Sequence, residues 1–115
     1  MIGSSDREQA LAQLCAALDG WGLVYGHTHE PHVAKRQVLH LRTGEERTVL
    51  LGNCGSFRRK NIPPTWIESA FPSLALWAYN ADRKQAELLD RIALTPQEML
   101  AYAVSSAEAA AASVA

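Results

Sequence analysis

Apolar residues recur at Leu11, Leu14, Cys15 and Leu18, the i, i+3, i+4, i+7 spacing of one stripe along a helix. Ser5-Asp6-Arg7-Glu8 precedes them with the pattern of a capping box, in which hydroxyl and carboxylate satisfy the free amides of a helix start. Gly20 stands where a left-handed residue would end the helix, so the pattern predicts a helix over roughly residues 6 to 19. Gly22-Leu23-Val24-Tyr25-Gly26 is a short apolar run pinned between glycines and suits a buried strand. Residues 37–42 (QVLHLR) alternate, with Val38, His40 and Arg42 on one face and Leu39 and Leu41 on the other. With turn chemistry at 43–46 and the apolar run 47–51 they predict a hairpin, followed by a tight loop of small residues at 52–56. Residues 61–72 hold three prolines and read as irregular. SLALWAY (73–79) and AELLDRIAL (86–94) read as two strands across a polar turn. Thr95-Pro96-Gln97-Glu98 is a second capping box with proline at the favoured first helical position, and the alanine-rich tail after Ala109 is expected to fray.

The element order is helix, strand, hairpin, hairpin, helix. That is an α/β chain with about five strands in one sheet, a helix before it and a helix after it. Two short helices are little cover for Leu39, Leu41, Leu50, Leu74, Leu76 and the tryptophans, so an uncovered sheet face and association are expected.

Composition narrows the class. At 115 residues with 48% apolar and 20% charged content, the chain is one ordinary globular domain. A net charge of −1 gives no specific nucleic-acid signal and no attraction to an anionic membrane. The positive charge is local: Trp21 to Trp66 holds seven Lys or Arg against three acids, a net of +4. Two cysteines make no disulfide framework. The sequence has neither a secretory start nor a membrane-length apolar run, and the expectation is a cytoplasmic, reduced protein.

The candidate chemistry lies in YGHTHEPH (25–32), which gathers three of the four histidines. His27 and His29 follow a strand directly, where side chains leave the sheet end for a crevice of the kind that holds ligands in open α/β sheets. Residues i and i+2 leaving a strand share a side, so both imidazoles are expected to face one site. Neutral imidazole suits Zn, Mn or Fe, but two are a partial set that carboxylates commonly complete.

Tyr25-Gly26-His27-Thr28-His29-Glu30-Pro31 resembles the closing Gly-His-x-His motif of the calcineurin-like metallophosphoesterases. Gly52-Asn53-Cys54-Gly55-Ser56-Phe57 is similar to the Asn-x-Gly-Ser segment one hairpin downstream in that family. The resemblance spans about residues 10–93, with 95–115 a C-terminal helix and tail. It implies a partial αββα sandwich, an activity on phosphate mono- or diesters, and two divalent metals in a complete site. His27 would bind one metal and His29 the other. Asn53, by its place in the second motif, would sit at the substrate. Arg58 and Arg59 follow two and three residues past Ser56. By charge and position they either meet the anionic substrate or are solvated surface arginines. Cys54 reads as a small wall residue, Glu30 and His32 as rim, His40 as a hairpin face residue, and Trp66, Phe71 and Trp77 as core or core edge.

The family's earlier motifs, Asp-x-His, Gly-Asp and Gly-Asn-His, are absent. No histidine has an aspartate two positions before it, and none of Asp6, Asp19, Asp82 and Asp90 follows a glycine. No catalytic residue is therefore assigned. Two expectations stand. The chain is the C-terminal part of a phosphoesterase, its site completed by an N-terminal half chain. Alternatively it is a non-catalytic remnant or interaction subunit of the same fold, which would associate as a homo-oligomer.

Overall fold

The computed structural model describes residues 4–26, 30–55 and 64–102. The chain runs α1 (Ser4–Ala17), β1 (Gly22–Tyr25), β2 (His32–Leu39), β3 (Glu46–Asn53), β4 (Thr65–Ala70), β5 (Ser73–Asn80) and β6 (Gln85–Ala93). A second helix, α2, follows over residues 96–102. The class is α/β as expected, but the strands form two sheets of three, ordered β1-β3-β2 and β4-β5-β6.

The extra strand is β4, in the stretch expected to be irregular. Its prolines lie outside Thr65–Ala70, and within the strand Ile67 packs against the inter-sheet core. Pairing of β4 with β5 in the register Trp66↔Trp77 and Ile67↔Leu76 completes an antiparallel sheet whose third member is β6. The second sheet supplies cover that a single-sheet reading lacks. Leu50, Leu74 and Leu76 are buried, with Leu50, Leu74, Leu94 and Tyr102 packed among Val33, Ile67, Ile92 and Met99. Gly52 makes the approach possible, since a Cβ there would lie 3.3 Å from Ile67 side-chain carbons. Leu39 and Leu41 do remain exposed.

The opposite face of the first sheet packs on α1. Val38, Val49 and Leu51 meet Ala12, Cys15 and Ala16. The stripe read from the sequence is thus rotated: Cys15 is buried, but Leu14 and Leu18 are exposed. Ala12 and Ala16 face the strands because small residues let the helix sit close, which Leu14 or Leu18 in their place would prevent. Glu8 lies on the same inward face, and its carboxylate binds His32 and Arg36 of β2. The helix already begins at Ser4, so the expected cap at Ser5 is superseded. The helix ends through Asp19, which takes the left-handed conformation (φ 59°) in place of the expected Gly20.

The first hairpin is displaced from its expected bounds: β2 ends at Leu39 and not at residue 42, and the turn opens at residue 41, with Gly44 (φ 75°) leading into β3. The expected β5–β6 turn is present, and Asn80 Oδ1 accepts the amides of Asp82 and Arg83 there. The Thr95 box closes reciprocally, Thr95 N–H donating to Glu98 Oε1 (2.7 Å) and Glu98 N–H to Thr95 Oγ1 (3.2 Å). Tyr102 then donates its hydroxyl to the buried Thr48 carbonyl. No helix among the described residues is long and apolar enough to cross a membrane.

Candidate functional site: the end of the first sheet

β1 runs parallel to β3 in the register Tyr25↔Asn53, and β3 runs antiparallel to β2 in the register Asn53↔His32. Tyr25, Asn53 and His32 therefore form one row across the sheet end. The two parallel strands both exit there, one into the histidine segment and the other into the small-residue loop.

Close backbone approach holds these exits together. Cys54 N–H donates to the Tyr25 carbonyl at 2.8 Å, continuing the ladder by one step. At Gly26 a Cβ would lie 2.7 Å from Cys54 Sγ and 3.1 Å from the Gly55 carbonyl oxygen, so any side chain there would displace the sulfur and crowd the carbonyl. Gly55 is left-handed (φ 84°), and a Cβ there would meet Thr65 Oγ1 at 3.1 Å and Pro31 Cβ at 3.3 Å. Both described flanks of the histidine segment, Gly26 and Pro31, thus lie against residues 54–55. Thr65 adds a third element by donating its hydroxyl to the Cys54 carbonyl at 2.6 Å.

Asn53, expected at the substrate, is buried in this junction. Its Oδ1 accepts the Gly55 amide at 2.9 Å, which folds the loop back over the end of β3. Cys54 carries a free thiol and stands as a wall against Gly26, in line with its reading from the sequence. His27 and His29 lie outside the described residues, as do Arg58, Arg59 and the tail after Ala109. Among the described residues no group of three or more His, Cys, Asp or Glu converges as a metal-ligand set would.

Over the same row sits a cluster that sequence patterning did not single out. Glu8 of α1 is buried and receives His32 Nε2 at 3.0 Å on one oxygen and Arg36 at 2.5 Å on the other. His32 Nδ1 meets the Glu30 carbonyl at 3.1 Å. Burial pushes the Glu8 carboxyl upward, but the hydrogen bonds from Arg36 and His32 outweigh it and hold the group below its ordinary value. His32, read as a rim residue, belongs to β2 and bridges to the helix. The signal for this cluster was available in part. Glu8, Ala12 and Ala16 recur every four residues along one helix face, and Arg36 shares a strand face with Val38.

A second polar hub anchors the opposite end of the sheet. Asp19 accepts from His40 (2.9 Å) and Arg47 (2.8 Å) on one oxygen and from Arg42 (2.7 Å) on the other. Those donors, Arg47 first, then Arg42 and His40, hold its carboxyl at about 2. His40 is buried, as is Val38, with which it was expected to share a face. Its Nδ1 accepts the Thr43 amide, which fixes the tautomer that donates from Nε2 to Asp19. With both ring nitrogens committed, His40 is structural. A polar cleft of about 470 Å³, lined by Gln37, Thr48, Thr95, Gln97 and Glu98 among others, also lies away from the loop junction.

No family model, curated protein or solved structure matches this chain.

Proposed function

We propose that this chain supplies two imidazole ligands, His27 and His29, to a divalent-metal centre that hydrolyses phosphate esters, with the other ligands coming from residues outside this sequence. The observation that supports it most is the loop junction. Gly26, which opens Gly-His-Thr-His, packs against Cys54 and Gly55 of the Asn-Cys-Gly-Ser segment, at the common exit of two parallel strands. The two segments by which the chain resembles the calcineurin-like metallophosphoesterases are far apart in sequence and adjacent at their starts in the fold.

The donor chemistry suits Mn, Fe or Zn, for which neutral imidazole is a good ligand. It is incomplete as well, because two imidazoles bring no bridging carboxylate and Glu8 is already committed to Arg36 and His32. When bound, such metals supply Lewis acidity and a water of lowered pKa. In this reading the chain's own residues hold and orient. Gly26 and Gly55 permit the two loops to meet, Asn53 folds the second loop, and Arg58 and Arg59 attract a phosphorylated substrate. The free thiols of Cys15 and Cys54 suit a reducing, cytoplasmic setting.

The test is turnover. Purified chain with Mn²⁺ is expected to leave a generic phosphodiester intact, because the site lacks a bridging carboxylate and a leaving-group acid. Turnover abolished by His27→Ala would show the site to be complete and overturn that part of the reading.

A second reading is a non-catalytic interaction subunit of the same fold. The exposed Leu14 on α1, Leu18 just past its end and Val24 on β1 favour it, since they give a partner apolar surface. Sedimentation at micromolar concentration separates the readings in part. Self-association through that surface favours the second, and a stable monomer whose weak metal affinity rises with a separately encoded chain favours the first.

A further inference from the structure

His32 is placed between two hydrogen-bond acceptors. Its Nδ1 lies 3.1 Å from the Glu30 carbonyl oxygen, and its Nε2 lies 3.0 Å from Glu8 Oε1. Neither an amide carbonyl nor an ionised carboxylate has a proton to give. A neutral imidazole carries one N–H and satisfies one of them, leaving a ring lone pair aimed at the other oxygen. Only the imidazolium donates to both.

We propose that His32 is a proton-dependent clip fastening the first half of α1 to the start of β2, closed when the ring is charged and half open when it is neutral. Among the described residues Glu8 is the α1 group in the clip, and it spans to β2 twice, through His32 and through Arg36. Arg36, on β2 itself, is the charge that opposes protonation of the ring. Tyr25 of β1 faces Glu8, and burial first of all keeps its phenol neutral through the range in which the clip works. Asn53, the β3 residue paired with His32, carries no charge.

The two titrations bound the closed state. Burial disfavours the His32 cation, yet the Glu30 and Glu8 hydrogen bonds outweigh it and hold the ring above its ordinary value of 6.5. That contribution to stability is therefore fully present below the unfolded histidine's value and is lost as pH rises through the folded one. The Glu8 value lies below 4.5, so its contribution is present above that value and is lost as pH falls through the folded one. The clip closes in mild acid and half opens as pH rises through the raised value of the ring, when the ring keeps one of its two bonds and Arg36 still holds Glu8.

The experiment is a ring-nitrogen NMR titration of the full chain between acid and alkaline pH, with the urea-unfolded chain as reference. The expected result is a doubly protonated His32 in mild acid and a midpoint above that of the unfolded chain. Glu8→Gln is expected to lower the midpoint by roughly half to one pH unit. His32→Gln is expected to lower Tm in mild acid and to leave it unchanged in alkali, where the wild-type ring is already neutral. A purely structural role for the ring would give the same loss at every pH. A His32 midpoint at or below the unfolded reference, or a pH-independent Tm gap, overturns the proposal. The native-against-unfolded comparison uses wild-type protein only, so it stands even if Glu8→Gln does not fold.

Discussion

Gly26→Ala probes the loop junction directly. A Cβ at this position would lie 2.7 Å from Cys54 Sγ and 3.1 Å from the Gly55 carbonyl oxygen, both inside ordinary contact distance. Gly26 is not in the left-handed region, so alanine brings a contact penalty without backbone strain. Cys54 can swing its sulfur aside at some cost, but the Gly55 carbonyl is backbone, and Gly55 is fixed by its bond to Asn53. Overpacking of this kind costs about 1–3 kcal/mol. Loss of glycine's freedom in the unfolded chain returns about 0.4–1 kcal/mol. The net expectation is a loss of about 1–2 kcal/mol, which with an ordinary urea m-value lowers the unfolding midpoint by roughly 0.5–1 M. Repeating the substitution in a Cys54→Ala background removes the sulfur and leaves the carbonyl. The unfolded-state gain is the same in both backgrounds and cancels, so the cycle isolates the Gly26–Cys54 contact, expected at about 1 kcal/mol. Urea unfolding followed by tryptophan fluorescence reads all four proteins. An unchanged midpoint for Gly26→Ala would refute the close approach of the two loops, and an equal loss in both backgrounds would refute the Gly26–Cys54 contact.

Asp19→Asn is expected to lower Tm at neutral pH, because buried Arg47 and the bonds from His40 and Arg42 lose their carboxylate. The folded Asp19 value of about 2 lies below its ordinary 3.8, so this contribution is present above the unfolded value and fades as pH falls through about 2. Melts of both proteins across that range should converge in acid, and a gap that stays constant would contradict the assignment. Ala16→Leu should cost about 1–3 kcal/mol by forcing α1 off the first sheet, whereas Leu18→Ala should change stability by less than about 0.5 kcal/mol. The reverse ranking in chemical denaturation would restore the stripe through Leu14 and Leu18. Tyr102→Phe should cost about 1–2 kcal/mol by orphaning the buried Thr48 carbonyl. In the wild-type protein ultraviolet titration should find the Tyr102 phenol pushed up to about 12, chiefly by burial, and a Tyr102 that ionises near 10 would count against the bond.

Local chemistry was legible in the sequence. The Thr95 box, the Gly44 and Asn80 turns and the alternation through Val38 and His40 all describe interactions within a few residues, and each has its counterpart in the fold. What was not legible depends on partners distant in sequence. Alternation put His40 on the same face as Val38, but nothing near it announces Asp19, 21 residues earlier, as the group that makes its burial tolerable. The same holds for Glu8, which a local pattern assigns to its own helix cap and the fold assigns to β2. The helix stripe is rotated from the apolar pattern because size decides at a close helix–sheet contact, where Ala12 and Ala16 fit and the larger Leu14 and Leu18 do not. β4 was masked by the prolines that flank it, and its own residues do not alternate in polarity. At the site, the glycines around His27 and His29 could be marked as turns, but that Cys54 and Gly55 press on Gly26 is a fact of tertiary contact.

Calorimetric titration of the purified chain with Zn²⁺ or Mn²⁺ tests the central claim most directly. The account predicts weak but specific binding, reduced roughly tenfold or more by either His27→Ala or His29→Ala. His32→Gln is predicted to leave it unchanged, because that ring is committed to Glu8 and Glu30. A chain that binds neither metal, or whose affinity is the same with and without His27 and His29, would contradict it.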